Sequence, residues 1–371
     1  MSQANSQRPL TVLHTEWSSG WGGQEIRILA ESEAFRKRGF RMLIAAQPGS
    51  TLLQRASDAG LETFCVPMHK GFDIGAIRHF MRLIRENGVD LVHSHSSVDH
   101  RLAGIAAKLT GHPLVRSRHL STPISRSPFS KALYTWLAGR VITSGAFIRD
   151  AMVNWNGMPP AQIVSIPAGI DEAQFSLARD LPDARAEFGI APDTFVVGIV
   201  AVLRSWKGHD DLIAAVDLVR EQIPGVKLLI VGDGVRRPAI EQLIRERNLQ
   251  DTVILAGHRK DPAPYFKAMD VVVLPSYSNE ATSQVLPQAL AMQRAVISTD
   301  IGGLPEVVEH EKTGLLVPAR QPQAIADAML RLYRDRGLMQ RMGEAGQARV
   351  LEKFTFKKMI DDTESVYRSL L

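Results

Sequence analysis

Short apolar runs alternate with longer amphipathic stretches along the whole chain. Runs such as 196–203, 227–231 and 271–274 are rich in Val, Ile and Leu and only a few residues long, which favours buried strands. Between such runs, stretches such as 23–38 and 74–87 carry apolar residues at helical spacing. This alternation predicts parallel sheets covered by helices on both faces. The fold class is therefore predicted to be α/β, with doubly wound, Rossmann-like sheets.

The predicted elements fall into two halves. In the first half we expect strands at 10–14, 42–45, 63–66, 91–93, 114–116, 141–143 and 163–166, and helices at 23–38, 74–87, 99–109 and 145–154. In the second half we expect strands at 196–203, 227–231, 253–255, 271–274, 295–298 and 314–317, and a last helix within 354–371. The alternation breaks at 171–192, which holds Asp180, Pro182 and Pro192 and predicts an interdomain linker and the entry to the second domain. A chain of 371 residues also favours two domains.

Charge is distributed unevenly between these halves. Residues 1–172 carry 19 Lys and Arg against 13 Asp and Glu, a net of +6, and the remainder has a net of −1, which together give the overall +5. The surplus in the first half suggests an anionic partner there, with a merely solvated surface as the alternative. The protein is not expected to bind nucleic acid.

The composition also suggests a compartment. The single cysteine, Cys65, excludes an intrachain disulfide and fits a reducing compartment, and we predict that it is a small buried residue beside a strand. The first ten residues lack the apolar segment of a signal peptide, and the run 195–203 is too short to span a bilayer. We therefore expect a cytoplasmic protein that can also lie peripherally on the inner face of the cell membrane.

A glycine-rich segment, 18–25, follows the first strand and opens the first helix. Gly22 and Gly23 lack side chains, so a ligand can approach the backbone at the helix N-terminus. A tight strand–helix turn is the alternative. The segment lacks the G-x-G-x-x-G pattern, which argues against a nicotinamide dehydrogenase.

Two loops in the second half carry polar chemistry. Arg204 and Lys207 follow a strand and can bind a diphosphate, the alternative being two surface cations. Residues 275–284 also lead from a strand into a helix whose N–H groups can receive phosphate. Phosphates would repel the Glu280 carboxylate, so we predict that it accepts hydrogen bonds from sugar hydroxyls. Alternatively, the Glu280 carboxylate only stabilises the following helix, by its interaction with the positive end of the helix dipole.

Histidines follow two strands of the first half. His93, His95 and His119 are placed to face the same cleft, although a lone histidine is more often structural. No sequence pattern indicates a metal site, a P-loop or a hydrolase nucleophile elbow.

These motifs, taken in order, resemble the family-4 retaining glycosyltransferases, which have the GT-B fold of two Rossmann-like domains facing each other across a cleft. The resemblance covers nearly the whole chain. Its motifs are 165–171 (SIPAGID), 203–208 (LRSWKG), 231–234 (VGDG), 255–258 (LAGH), 271–314 and within it 300–306 (DIGGLPE).

The resemblance implies a donor-binding domain at 173–354 and an acceptor-side domain at 1–172, joined by a returning helix at 355–371. It implies a nucleotide-sugar substrate, UDP- or GDP-sugar above all, and no metal or other cofactor. Glu280, His119, Lys207 and Arg204 would be catalytic. The donor-binding residues would be Gly22, Gly23, Gly232, Gly257, His258, Ala281, Thr282, Ser283 and Gln288. The acceptor would be a glycan or a lipid-linked glycan, in lipopolysaccharide or other cell-surface polysaccharide biosynthesis.

Three positions depart from the family pattern. Gln288 replaces a second Glu that normally accepts from ribose hydroxyls, and Gln accepts without charge. The segment 281–283 (ATS) replaces Gly-Phe-Gly. Val202 stands where the family has an arginine, five residues before the lysine, and Arg204 is only three residues before Lys207. These departures keep open two other functions, a sugar-nucleotide epimerase or hydrolase and a binding scaffold with weakened catalysis.

Two basic clusters in the first half suit an anionic membrane surface. Arg78, Arg82 and Arg85 share one helical face, preceded by Lys70 and Phe72. The second cluster consists of Arg36, Lys37, Arg38 and Arg41. Alternatively, the two basic clusters only keep the protein soluble.

Overall fold

The computed structural model describes residues 8–119, 124–125, 127–278 and 280–371, and the chain divides into two compact units. The first unit runs to Pro167 and takes in Met359–Leu371, and the second is Ala168–Lys358. Residues 1–7, on which the signal-peptide expectation partly rests, and Asn279 of the predicted 275–284 loop lie outside the described residues.

The first unit contains one parallel sheet of seven strands. They are β1 (Thr11–Glu16), β2 (Arg41–Ala46), β3 (Glu62–Cys65), β4 (Leu91–Ser94), β5 (Leu114–Arg118), β6 (Arg140–Thr143) and β7 (Ile163–Ser165). The strand order is β3-β2-β1-β4-β5-β6-β7, so the order reverses between β1 and β4. In a doubly wound sheet, ligands bind beside the carboxyl ends of the strands at such a reversal.

Polar side chains cap the start of several helices in this unit. They are α1 (Gly23–Lys37), α2 (Thr51–Asp58), α3 (Ile74–Glu86), α4 (Ser97–Thr110), α5 (Pro128–Ala132) and α6 (Ala146–Asn154). Ser50 caps α2 by accepting from the Leu53 N–H, and Asp73 caps α3 by accepting from the Ala76 N–H. At α4, the Asp99 carboxylate accepts from the backbone N–H of Ser96, which forms a capping box.

The second unit contains a parallel sheet of six strands. They are β8 (Val196–Val200), β9 (Lys227–Val231), β10 (Val253–Gly257), β11 (Val271–Leu274), β12 (Ala295–Thr299) and β13 (Gly314–Val317), in the order β10-β9-β8-β11-β12-β13. The helices are α7 (Ala184–Glu187), α8 (His209–Val219), α9 (Arg237–Glu246), α10 (Ala263–Ala268), α11 (Val285–Ala291), α12 (Leu304–Val307), α13 (Pro322–Arg334) and α14 (Arg336–Lys353). The last helix, α15 (Phe356–Arg368), begins in this unit and belongs to the first unit from Met359 onward. Val271, Val272 and Val273 are fully buried, as expected of a central strand covered on both faces.

The α/β prediction with two doubly wound sheets is confirmed, and Met359–Leu371, which includes most of α15, belongs to the first unit. No helix among the described residues is long and apolar enough to cross a bilayer.

The segment 171–192, predicted as a linker and the entry to the second domain, belongs wholly to the second unit. Phe175, Leu181 and Ile190 are buried in its core, and the backbone of Ile170 pairs with that of Thr355. These contacts place the first boundary at Pro167 and the second at Lys358, a few residues from the predicted 172 and 355.

Three smaller predictions about the elements were wrong. The strand predicted at 196–203 ends at Val200, because the chain continues into the loop before Lys207. Helix α2 was not predicted because its apolar pattern is only eight residues long. Cys65 is exposed rather than buried, because it ends β3 at the edge of the sheet.

Candidate functional site in the second unit

Loops after two neighbouring strands meet at one edge of the second sheet. The loop after β8 and the loop after β11 are joined by the Tyr277 N–H, which donates to the Trp206 carbonyl across 2.9 Å. Gly208 has a φ of +73°, and a Cβ there would overlap the Pro275 carbonyl oxygen. Glycine is thus required for the two loops to lie this close.

Glu280 and Lys207 form the centre of this edge. The Lys207 ammonium Nζ lies 2.5 Å from Glu280 Oε1, and the Ser276 hydroxyl donates to the same oxygen across 2.7 Å. The Glu280 side chain is 6% exposed and that of Lys207 is 20% exposed. A buried carboxylate with a paired ammonium and a hydroxyl donor is held in one orientation.

The DIGGLPE motif supports the Glu280 loop from behind. A Cβ on Gly302 would overlap the Glu280 carbonyl oxygen, and one on Gly303 would overlap that of Ala281. The Gly303 N–H also donates weakly to the Glu280 carbonyl, across 3.4 Å. The sequence marked these glycines as a signature, and the structure supplies their physical reason.

Arg204 is not brought to Glu280 by any described contact. Its guanidinium is exposed and lies over the Trp206 ring, 5.1 Å from the centroid. The predicted donor-binding glycines of the neighbouring strands do meet, because the Gly232 N–H donates to the Gly257 carbonyl across 2.9 Å. His258, which follows them, is exposed.

The residues after Glu280 lead into the short helix α11. Ser283 is buried, and its hydroxyl accepts from the Val285 N–H across 3.2 Å, so it is used to start the helix. Ala281 and Thr282 are half-buried, and Gln288 is half-buried on α11. The Gln284 side chain donates to the Ala168 carbonyl across 3.1 Å, which ties this loop to the start of the unit.

Candidate functional site in the first unit

The glycine-rich loop of the first unit is held by two carboxylates. The Gly22 N–H donates to Glu25 Oε2 across 2.9 Å, and a Cβ on Gly23 would meet no atom within 4 Å. Glu16, which ends β1, accepts from the Ser18 N–H across 2.6 Å and from the Gln24 amide. Burial, and then the charge of Asp99, raise the pKa of Glu16 to about 8.

The predicted histidines converge in the first unit and are joined by one that was not predicted. His14 on β1 lies beside both His93 and His95, with ring centroids 4.8 and 5.0 Å away. His95 Nδ1 lies 3.1 Å from Nε2 of the half-buried His119. Burial lowers the pKa of each ring, to about 3 for His14, so all four are neutral at pH 7.

The same cluster is the group of side chains in the described residues that most resembles a metal site. Ligand atoms of His14, His93 and His95 lie within 4.8 Å of one another. However, every ring nitrogen of these three already has a hydrogen-bonding neighbour in the protein.

Two members of this cluster were missed from the sequence. His14 is at the end of the first strand, and the strand-end argument used for His93 would have found it. Tyr367 on α15 is fully buried beside His14 and His93, and no local pattern in the sequence marks it.

Two of the four residues in the second predicted basic cluster are paired with carboxylates. Arg38 pairs with Asp361 and Glu364 at 2.6 and 2.8 Å, and Arg41 pairs with Glu62 at 2.6 Å. These pairs reduce the positive charge that this cluster can offer to an anionic surface.

Family and similar structures

Two family models match adjoining parts of the chain. Residues 21–174 match Glycosyltransferase Family 4, and residues 180–349 match Glycosyl transferases group 1. Among curated proteins, the N-acetyl-alpha-D-glucosaminyl L-malate synthase of Bacillus anthracis is 25% identical over 318 residues, which are 83% of this chain and 82% of that protein. The D-inositol 3-phosphate glycosyltransferase of Kineococcus radiotolerans is 29% identical over 76% of this chain and 72% of its own.

The fold also matches solved structures. Anabaena HepE, solved in complex with UDP, superposes with a TM-score of 0.86 at 21% identity, over 97% of this chain and 100% of that one. This similarity shows that the protein has the GT-B fold. The chain belongs to the glycosyl transferases group 1, family 4, and it is a glycosyltransferase.

Proposed function

We propose that the protein is a retaining glycosyltransferase that moves a sugar from a nucleotide-sugar donor to a hydroxyl of a glycan or glycolipid acceptor. The observation that supports this most is the buried pair of Lys207 and Glu280. The pair offers a cation and a carboxylate side by side at the end of a parallel sheet, the usual place for a ligand. A nucleotide sugar needs both, a cation for its diphosphate and an acceptor for its sugar hydroxyls.

In the proposed mechanism, Lys207 neutralises the charge that develops on the leaving diphosphate, with Arg204 moving from Trp206 to assist. Glu280 accepts hydrogen bonds from the donor sugar and so fixes its orientation. Backbone N–H groups of 281–283 receive phosphate oxygens. Retention follows when the acceptor hydroxyl attacks from the face that the diphosphate leaves and passes its proton to the departing diphosphate oxygen, without a dedicated protein nucleophile. The leaving group is stabilised by these cations and dipoles, so no metal is required.

The donor is proposed to bind the second unit, through the Glu280 loop, Gln288 and the segments at Gly232, Gly257 and His258. A UDP-sugar is the first donor to test, because Anabaena HepE was solved with UDP and has the same fold. A GDP-sugar is the next. Gly22, Gly23 and His119 of the first unit are proposed to approach the donor from the acceptor side.

A glycan acceptor carried on lipid, as in lipopolysaccharide or other cell-surface polysaccharide synthesis, is supported by the face of α3. Arg78, Arg82 and Arg85 are exposed there, and Phe72 just before the helix is 71% exposed. Cations beside exposed apolar side chains favour peripheral binding to an anionic membrane surface.

A small anionic acceptor is the second candidate. The names of the two curated relatives specify acceptors of this kind, malate and inositol 3-phosphate. In the first unit, a cavity of about 270 Å³ is lined by Arg116, Arg118 and Tyr134, together with Ser97 at the start of α4. Arg116 is 3% exposed, and its Nε has no partner among the described residues, which suits an incoming anion. Free inositol phosphate or malate as acceptors, tested beside lipid-linked glycans, distinguish the two candidates.

A thermal-shift screen with UDP-, GDP-, ADP- and CMP-sugars tests the proposal. A ligand at a hundred times its Kd stabilises the folded protein by about 2.7 kcal/mol, so one donor class is expected to raise the Tm by several degrees. If no nucleotide raises the Tm at saturation, the protein is not a working nucleotide-sugar enzyme, and the scaffold function is favoured. Product analysis without acceptor distinguishes an epimerase or hydrolase, because those would consume the donor at the full rate.

A further inference from the structure

A continuous chain of hydrogen-bonding side chains runs through the first unit. His119 Nε2 lies 3.1 Å from His95 Nδ1, and His95 Nε2 lies 2.9 Å from His14 Nδ1. His14 Nε2 lies 3.2 Å from the Tyr367 hydroxyl, which lies 2.7 Å from His93 Nδ1. His93 Nε2 ends the chain 2.8 Å from the Ser117 hydroxyl.

The topology brings these six side chains together. His14 and His93 are register partners on the adjacent strands β1 and β4. Ser117 is on the next strand, β5, while Tyr367 reaches them from α15. Every member except His119 is at most 2% exposed, so water does not compete for these bonds.

A neutral imidazole has one N–H and one lone pair, so each ring that accepts at one nitrogen must donate at the other. Three arrangements satisfy this rule, because the Tyr367 hydroxyl oxygen can also accept from both neighbouring rings. If all five links point toward Ser117, its hydroxyl accepts, and its own hydrogen has no acceptor among the described residues. If the links meet at Tyr367, the buried Tyr367 hydrogen has no acceptor among the described residues. If all five links point toward His119, every buried hydrogen has a partner. A buried donor without a partner costs free energy, so the arrangement that points toward His119 is favoured.

The geometry points to Tyr367 and Ser117 as positioning residues that fix the tautomer of His119. Ser117 donates to His93, His93 to Tyr367, Tyr367 to His14, His14 to His95, and His95 to His119 Nε2. The hydrogen of His119 then sits on Nδ1, which has no partner among the described residues and can donate to a ligand oxygen. The catalytic use of this N–H rests on the proposed function, but the tautomer itself does not.

A metal ion is the competing occupant of this cluster. A tetrahedral ion with ligands at roughly 2.0–2.1 Å holds its nitrogens about 3.3 Å apart. The His14 and His95 nitrogens lie only 2.9 Å apart, in direct hydrogen-bonding contact, and a metal would have to break that bond.

Nitrogen-15 spectra of histidine-labelled, full-length, ligand-free protein test the tautomer at pH 7.5, with His119→Gln used to assign the signal. We expect wild-type His119 to carry its hydrogen on Nδ1 alone. Tyr367→Phe and Ser117→Ala should each give a mixture of tautomers, although Ser117 does not touch His119. Thr363→Val is the matched control, because Thr363 is equally buried on α15 and its hydroxyl bonds only to the Met359 carbonyl among the described residues.

Three results would each overturn the inference. One is a wild-type His119 with its hydrogen on Nε2. Another is a His119 signal in Tyr367→Phe and Ser117→Ala that matches the signal in Thr363→Val. The third is stoichiometric binding of added Zn²⁺ that shifts the His14 and His95 signals.

A kinetic measurement then tests the catalytic use of the N–H. Tyr367→Phe should lower kcat for transfer about tenfold, the effect of about one lost hydrogen bond, with little change in the donor KM. A protein without transferase activity but with the expected spectra would refute the proposed function and leave the tautomer assignment standing. Unchanged kcat alongside a mixed tautomer would overturn the catalytic part alone.

Discussion

Lys207 Nζ donates to Glu280 Oε1 across 2.5 Å, and the two residues are 73 positions apart in the sequence. Two different strand-end loops therefore meet at one charged pair. Removing one partner leaves the other charge buried without compensation, while removing both does not.

A double-mutant cycle measures this relationship. Lys207→Met should lower the free energy of unfolding by about 2 kcal/mol, because the Glu280 carboxylate is then desolvated and unpaired. Glu280→Gln in the same protein should recover about half of that loss. Urea denaturation of the four proteins gives the coupling free energy, and strict additivity would show that the pair is not coupled. Glu311→Gln, at an exposed pair with Arg331, is the control and should change stability by less than about 1 kcal/mol.

Gln288 is expected to be a neutral acceptor for the donor ribose. Gln288→Glu should keep or improve donor affinity, since a charged acceptor forms the stronger hydrogen bond. Titration calorimetry with the donor found by the thermal-shift screen measures the Kd. A loss of tenfold or more would contradict the ribose assignment.

Gly303 and Gly23 should respond differently to a methyl group. Gly303→Ala should destabilise the protein by about 2 kcal/mol or more, because the Cβ would overlap the Ala281 carbonyl and push the Glu280 loop away. Gly23→Ala should leave Tm within a degree or two, because the space around its Cβ is open. If a substrate approaches that backbone, Gly23→Ala lowers turnover without a change in stability. Normal turnover would show that Gly23 only makes the turn.

Acid should destabilise the first unit through its neutral histidines. The pKa of His14 is about 3 in the folded protein and about 6.5 in the unfolded chain. Below pH 6.5 the unfolded state therefore binds a proton that the folded state does not. The free energy of unfolding therefore falls as the pH decreases, by about 2 kcal/mol for His14 between pH 7 and pH 5. The lowered pKa values of His93, His95 and His100 also make the free energy of unfolding fall as the pH decreases.

Glu16 acts in the opposite direction. Its raised pKa, about 8, means that the folded state holds a proton that the unfolded chain releases above pH 4.5, so its contribution to stability falls as the pH rises. Urea denaturation at pH 5 and pH 7 should thus show a net loss on acidification in wild type and a larger loss in Glu16→Gln. If wild type were as stable at pH 5 as at pH 7, or more stable, these histidines would not be neutral in the folded protein.

The exposed face of α3 should determine membrane binding. Arg78→Glu with Arg82→Glu should reduce co-sedimentation with vesicles of 30% anionic lipid by about tenfold or more, since each cation near the surface contributes about 1 kcal/mol. Arg245→Glu with Lys267→Glu makes the same change in net charge at exposed positions of the second unit. Equal losses in the two proteins would point to net charge rather than to α3.

Local patterns predicted most of the fold, because strands covered on both faces are continuous apolar runs. Strands Lys227–Val231, Val271–Leu274 and Gly314–Val317 have the bounds that the sequence predicts. The linker part of the prediction for 171–192 failed because the prolines interrupt the apolar pattern, although Phe175 and Ile190 are buried.

Contacts between residues distant in sequence were harder to predict. Glu280 and Lys207 were each placed at strand ends, but their ion pair depends on glycines in a third segment, 302–303. Tyr367 could not be found at all, since its hydrogen bond to His14 joins residues 353 positions apart.

Turnover by Glu280→Ala tests the central claim most directly. The donor identified by thermal shift is supplied with acceptor, and release of its nucleoside diphosphate is followed for wild type and variant, with Glu311→Ala as the matched control. We predict that wild type and control turn over alike, and that Glu280→Ala loses about 100-fold or more in kcat while it remains folded. Turnover by Glu280→Ala at the wild-type rate would contradict the proposed site.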